Sequence, residues 1–248
     1  MASMLAAQGP PARYTATMLD GATFDERVRT TIRTQTGGAT RLESVGREAR
    51  WQVRAAGPDS ALTVEAWYDS LHIWRDGPEG RLLPDTDGLI GGRSRGWVTP
   101  AGLVTLGTRP FIPDELAEVS DLGTAFTTFL PALPDSALEV GGIWDDGRGG
   151  RIIRRADSTG ADANLQRFRW TRTVTDTLHE VEADSLEYEI RSTMREDGYL
   201  VWHPRLGPLA WHRDVVTEVD IPADGAVRRP VRSRVEERLQ GWRRHGST

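Results

Sequence analysis

The chain has 248 residues, 38% hydrophobic and 27% charged, with 31 basic against 36 acidic side chains and a net charge of -5. That is enough apolar material for one sizeable core, while the acidic balance excludes a general polyanion binder. Cysteine and lysine are both absent, which removes disulfides, thiolate nucleophiles, cysteine metal sites, Schiff-base lysines and phosphate-loop lysines together.

Met1 to Gln8 is short, small and apolar, and the chain then breaks at Gly9-Pro10-Pro11. This looks like the end of a secretory signal, with Ala6-Ala7 near a small-residue cleavage site and the upstream part missing; the competing reading is an ordinary frayed cytosolic terminus. Export is the preferred reading, so residues 1–11 are expected to be a flexible segment and the protein periplasmic or secreted. No run approaches the roughly 18 apolar residues that a membrane helix needs.

From Tyr14 onward the dominant signal is two-residue alternation, the mark of strands with one buried face. Tyr14, Ala16 and Met18 begin it. Val28 and Ile32 alternate with Arg27, Arg29 and Arg33, and Gly37-Gly38 supplies a tight reversal. Ala49, Trp51, Val53 and Ala55 alternate with charged or polar neighbours. Leu62, Val64 and Ala66 open a further strand whose apolar parity changes near Asp69-Ser70, which predicts a bulge. Residues 76–96, rich in Gly, Asp and Arg, read as a loop. Trp97-Val98 and Leu103-Val104-Thr105 flank Pro100-Ala101-Gly102 as a short hairpin. Pro113-Asp114-Glu115 then looks like a helix start, with Leu116, Val119, Leu122, Phe126 and Phe129 as its apolar stripe and Pro131 as its end.

Strand character returns at Ile152-Ile153, at Phe168, Trp170 and Val174, and at Leu186, Tyr188 and Ile190. Glu196-Asp197-Gly198 reads as a turn before a strand at Tyr199–Trp202. Val215, Val219 and Ile221 pair across Ala223-Asp224-Gly225 with Val227, Val231 and Val235. The last segment also fits a helix through Val231, Val235, Leu239 and Trp242, but the Asp-Gly turn favours strand. The expected fold is mainly β: a curved antiparallel sheet, or half-barrel, of about 9 to 11 strands on one principal helix at 114–130. It forms a single domain over 12–248.

Three segments carry a resemblance. Phe129-Leu130-Pro131-Ala132-Leu133-Pro134, Glu139-Val140-Gly141-Gly142-Ile143-Trp144-Asp145 and Trp97-Val98-Thr99-Pro100-Ala101-Gly102-Leu103-Val104 resemble packing and turn elements of a diffuse group of uncharacterised exported bacterial β-rich proteins. These are distantly similar to the lipoprotein-carrier (LolA/LolB-like) half-barrel superfamily. The resemblance implies a curved sheet wrapped around helices and brings no catalytic residues.

Nine tryptophans are the compositional excess. Trp51, Trp67, Trp97 and Trp170, with Phe126 and Phe129, are the candidate ligand-binding residues: inward aromatics on a curved sheet line an apolar cavity or fill it. His72, His179, His203 and His212 are dispersed, without metal-ligand spacing. Asp145-Asp146-Gly147 reads as a turn rather than an acid–base pair. The arginines clustered over 148–172 and 228–244 are expected to pair with carboxylates across strands. No catalytic residue, metal site or cofactor is expected, and no nucleic acid. The expected function is that of an exported, non-enzymatic accessory protein binding other proteins, for example on a membrane-associated assembly. The alternative is a carrier holding an apolar, lipid-like ligand between the concave sheet and the helix. A hydrolase ranks last, and would require His203 or His212 beside a carboxylate in a cleft.

Overall fold

The computed structural model describes residues 11–58, 60–145, 151–156, 165–182, 186–223 and 229–244. The described part begins with a helical turn, α1 (Ala16–Leu19), then three long strands: β1 (Thr23–Thr36), β2 (Ala39–Ala56) and β3 (Leu62–Gly77). Short elements follow, namely β4 (Gly80–Leu82), a 3-10 turn at Asp87–Leu89, β5 (Arg93–Val98) and β6 (Val104–Thr108). Two helical turns, α2 (Asp114–Ala117) and α3 (Ala125–Thr128), precede β7 (Ile143–Asp145) and β8 (Ile152–Ala156). Four long strands end the chain: β9 (Gln166–Glu182), β10 (Leu186–His203), β11 (Gly207–Ile221) and β12 (Val231–Arg243).

All twelve strands form one curved, open antiparallel sheet in the order β6-β5-β3-β2-β1-β12-β11-β10-β9-β8-β7, with β4 appended to β3. The first and last long strands join its halves, Phe24 facing Arg243 and Thr36 facing Val231. The β1–β2 turn holds Gly37 and Gly38 at φ 56° and 91°, the left-handed pair that a two-residue hairpin demands. The expected bulge is there too: Arg50 faces Ser70 and Trp51 faces Tyr68, so Asp69 is the extra residue. Leu62, Val64, Ala66 and Tyr68 before it, and Leu71 and Ile73 after it, thereby all reach the concave core. The sheet edges are β6, of five residues, and β7, of three.

Three glycines in the long strands each lie directly opposite a tryptophan: Gly46 and Trp74, Gly198 and Trp170, Gly241 and Trp211. A Cβ on these glycines would lie 1.9, 2.2 and 2.1 Å from the indole. The ring therefore lies over the glycine and shields its bare backbone.

A plug formed by residues 112–134 fills one half of the concavity. Leu116, Val119, Leu122, Ala125, Phe126, Phe129, Leu130 and Leu133 are buried there. Phe129 stacks on Trp51 at 5.5 Å and on Phe126 at 5.8 Å between ring centroids. The plug is tied to the shell by Leu133 N–H to the Ala101 carbonyl and by Tyr14 O–H to the Pro131 carbonyl, both 2.8 Å.

Several expectations are corrected. The segment 114–130 is two four-residue helices rather than one. Asp121 accepts hydrogen bonds from the Thr124 N–H (3.1 Å) and hydroxyl (2.6 Å), offering the backbone an alternative to a continued helix. Tyr14–Met18 is not a strand: a helical turn lets the adjacent Met18 and Leu19 both point inward, which alternation forbids. Residues 76–96 hold β4 and the start of β5 as well as loop. Glu196-Asp197-Gly198 is no turn, because β10 is paired on both sides through these residues. Residues 231–243 are strand, as the hairpin reading requires. The turns expected at 145–147 and 223–225 lie partly outside the described residues.

Candidate functional site

The long strands extend well beyond the plug. β10 has 18 residues, about 60 Å at some 3.3 Å per residue, and the plug covers only the end near Leu200 and Trp211. Past it, the concave face continues as cross-strand rows. Val174, Met194, Thr217, Val235 and Ile32 form one, and Leu178, Ile190, Ile221 and Val231 lie along another. Val45, Val215 and Val219 belong to the same face. Apart from Leu178, which is exposed, these aliphatic residues are half-buried, and among the described residues no element packs across them. The row between those two is Asp176, Ser192, Val219, Ser233 and Thr34, so the trough alternates aliphatic and polar rows.

The opposite, convex face of the same strands is charged. Arg234 pairs with Glu218 (2.5 Å), Arg232 with Asp220 (3.1 Å) and Arg238 with Asp214 (2.9 Å) across β11 and β12. Burial opposes ionisation of Asp214, but hydrogen bonds from Arg238 and His212 outweigh it and hold the carboxyl below its ordinary range. These are the cross-strand ion pairs expected of the arginines, each weak alone.

Where plug and trough meet, two hollows adjoin. One, of about 230 Å³, lies among Val28, Ile32, Val45, Arg47, Val119 and Ala125. Beneath it Arg47 Nε donates to Glu26 Oε1 at 2.9 Å, with the two side chains 7% and 1% exposed. The other, of about 350 Å³, lies against Trp170, Trp211, Arg151, Arg172, Glu196 and Arg213. Arg213 and Leu239 line both. In the second hollow Trp170 Nε1–H and Arg151 Nη2 both donate to Glu196 Oε1, at 2.8 and 2.7 Å. Arg213 Nη2 donates to Glu237 at 2.6 Å. Two buried donors, Trp211 Nε1 and Arg213 Nε, have no hydrogen-bond partner among the described residues.

The six aromatic candidates divide. Trp51, Phe126 and Phe129 are buried together under the plug and fill space there. Trp170, also buried, lies over Gly198 and borders the larger of the two hollows. Trp67 and Trp97 sit on the convex face, away from the other four. Trp67 stacks under the Arg93 guanidinium at 4.2 Å, and Trp97 is 53% exposed. Sequence reasoning missed Val215, Met194, Val174, Arg172 and Arg213. Among the described side chains the histidines do not converge: His203 Nδ1 accepts from the backbone N–H of Arg205 and Leu206. His212, 2.8 Å from Asp214 and stacked on Tyr199, is on the convex face and lines neither hollow. No described helix is long and apolar enough to cross a membrane.

The chain matches no protein-family model and no curated protein sequence. Among solved structures it is similar to lipovitellin, in a structure concerned with lipid–protein interactions in that protein. The match is 11% identical, covers 92% of this chain and has a TM-score of 0.51. The chain spans about a quarter (25%) of the length of that lipovitellin chain. A DUF1329 family protein from Desulfovibrio piger aligns at 12% identity over 89% of this chain and 85% of its own. Its TM-score of 0.15 is too low to bear on the fold. The curved, open antiparallel sheet is thus similar in fold to part of lipovitellin.

Proposed function

We propose that this protein is a non-enzymatic binder of an apolar, lipid-like ligand, held in the trough of the concave sheet beyond the plug. The observation that carries the reading is the uncovered run of inward aliphatic residues from Ile32 and Val45 through Val235, Val215 and Met194 to Val174. Aliphatic side chains left partly exposed on an uncovered concave face are the kind of surface that takes a ligand. The fold likeness to lipovitellin, a protein studied for its lipid interactions, supports the same reading. An exported location, expected from Met1–Gln8, fits it: an apolar ligand crossing an aqueous space needs a cover.

Native mass spectrometry of protein purified from its own host tests the reading, with two substitutions at adjacent positions on opposite faces. Wild type is expected to retain a lipid-like mass. Val215→Asp, in the trough, is expected to lose it, and Val216→Asp, on the convex face, to keep it. Equal retention by both variants, or no retained ligand with any of the three, rejects the proposal.

A second reading, binding of a protein partner, is favoured by the exposed apolar side chains near β5 and β6: Trp97 at 53%, Leu103 at 61% and Phe111 at 82%. A stable complex recovered with wild type and lost with Phe111→Ser would establish it.

A further inference from the structure

We propose that the ligand carries a single unbranched aliphatic chain, and that this chain lies lengthwise along β11, over Val215, Thr217, Val219 and Ile221. This rests on the reading of the trough as a site for an apolar ligand and adds the number of chains and their direction.

Register sets the direction. Aliphatic rows alternate with polar rows across the trough, so a long chain needs a strand that bridges them. From β9 to β1, the polar row nearest the plug is Arg172, Glu196, Val215, Glu237 and Thr30. The next polar row is Asp176, Ser192, Val219, Ser233 and Thr34. In both, the aliphatic member belongs to β11. On the other four strands polar and aliphatic side chains alternate along the concave face, as in Arg172, Val174 and Asp176 on β9 or Thr30, Ile32 and Thr34 on β1. On β11 the same positions hold Val215, Thr217, Val219 and Ile221.

A chain lying across the strands, over Val174, Met194, Thr217, Val235 and Ile32, would have a polar row along each side. Covering polar groups with hydrocarbon costs free energy. A chain along β11 has Met194 and Val235 on either side of Thr217, and Val231 beside Ile221. Its polar neighbours are Ser192 and Ser233 beside Val219, and Glu196 and Glu237 beside Val215. Both glutamates are already ion-paired, with Arg151 and Arg213.

Length and width agree with one chain. Val215 to Ile221 is six residues, about 20 Å, and one lipid chain spans half of a hydrocarbon core of about 30 Å. A second chain beside the first would rest on β10 or β12, over Glu196 and Ser192 or over Glu237 and Ser233. A branched or fused-ring ligand would overhang the same groups.

Calorimetric titration of the full chain with dodecan-1-ol and with its isomer 2-butyloctan-1-ol tests the inference. The two probes have the same head and the same atoms, in one chain or divided between two. Dodecan-1-ol is expected to bind at least about tenfold more tightly. Thr217→Val removes the hydroxyl of the track at nearly constant shape and is expected to tighten dodecan-1-ol binding at least about threefold, a gain that misfolding does not produce. Thr34→Val, the same change two strands away on β1, should leave affinity within about twofold. Val219→Asn is expected to weaken binding at least about tenfold, and Val174→Asn, two strands away on β9, less than about twofold. Equal affinity for the two isomers overturns the single chain. Equal effects of the paired substitutions on and off β11 overturn its direction, and either result leaves the trough standing. Failure of both probes to bind wild type overturns the trough and the track together.

Discussion

Trp170 lies over Gly198, its direct partner on the neighbouring strand, so closely that a Cβ on the glycine would sit 2.2 Å from the indole. The same indole donates to Glu196, two residues away along β10. One ring thus shields a bare backbone, closes the core and positions a carboxylate at the edge of the larger plug-side hollow.

Gly198→Ala is therefore expected to destabilise the protein by about 1–3 kcal/mol through overpacking. Combined with Trp170→Leu, the same substitution is expected to cost much less, because its clash partner has gone. Urea denaturation of the double-mutant cycle measures the coupling. Additive effects would mean that the ring and the glycine do not depend on each other.

The Glu26–Arg47 pair is buried between the sheet and the plug, where Arg47 also donates to the Asp121 carbonyl at 3.3 Å. Glu26→Ala should cost about 3–5 kcal/mol, since it strands a buried guanidinium. Replacing both, as Glu26→Leu with Arg47→Met, should restore most of that loss. Denaturation midpoints of the three proteins decide it.

Glu43, on the concave face near the tip of β2, takes hydrogen bonds from Arg75 and pairs with Arg41, and the Arg75 contact above all holds its carboxyl below the ordinary range. A carboxyl whose folded pKa is depressed adds stability above its unfolded value, about 4.3 for Glu, and loses it as pH falls through the folded value. Glu43→Gln should thus be less stable than wild type at pH 7, with the gap closing below about pH 4. Melting temperatures across that range test the sign.

Phe129 and Trp97 share one aromatic signal in the sequence and are separated by structure. Phe129→Ala should cost about 3–5 kcal/mol, as expected of a ring 1% exposed at the centre of the core. Trp97→Ala, on the outer surface, should cost about 1 kcal/mol or less, yet should remove a large share of the fluorescence accessible to iodide. Thermal melts and quenching read the two effects separately.

Most of the sheet was legible in the sequence. Alternation at Ala49–Ala55, the parity change at Asp69, the Gly37-Gly38 reversal and the β11–β12 pairing all report a single residue's neighbours, and local pattern carries that information. What was not legible depends on distance in the chain. Glu196-Asp197-Gly198 has the chemistry of a turn, and only pairing with both β9 and β11 keeps it extended. That misreading hid the continuity of β10, and with it Met194 as a trough residue. The apolar stripe of 114–130 was real, but the Asp121–Thr124 contacts divide it. Trp67 and Trp97 have the same composition signal as Trp51 and Trp170, and facing is decided by register. The trough had one sequence signal: Val215, Val219 and Ile221 continue their alternation further than a plug ending near Phe129 can cover.

The two outermost strands, β6 and β7, are not hydrogen-bonded to each other. A closed barrel has its girth fixed by strand number and shear, whereas this shell has two free margins and no hoop to set its circumference. Small changes of twist spread over twelve strands can therefore alter its aperture without breaking a ladder.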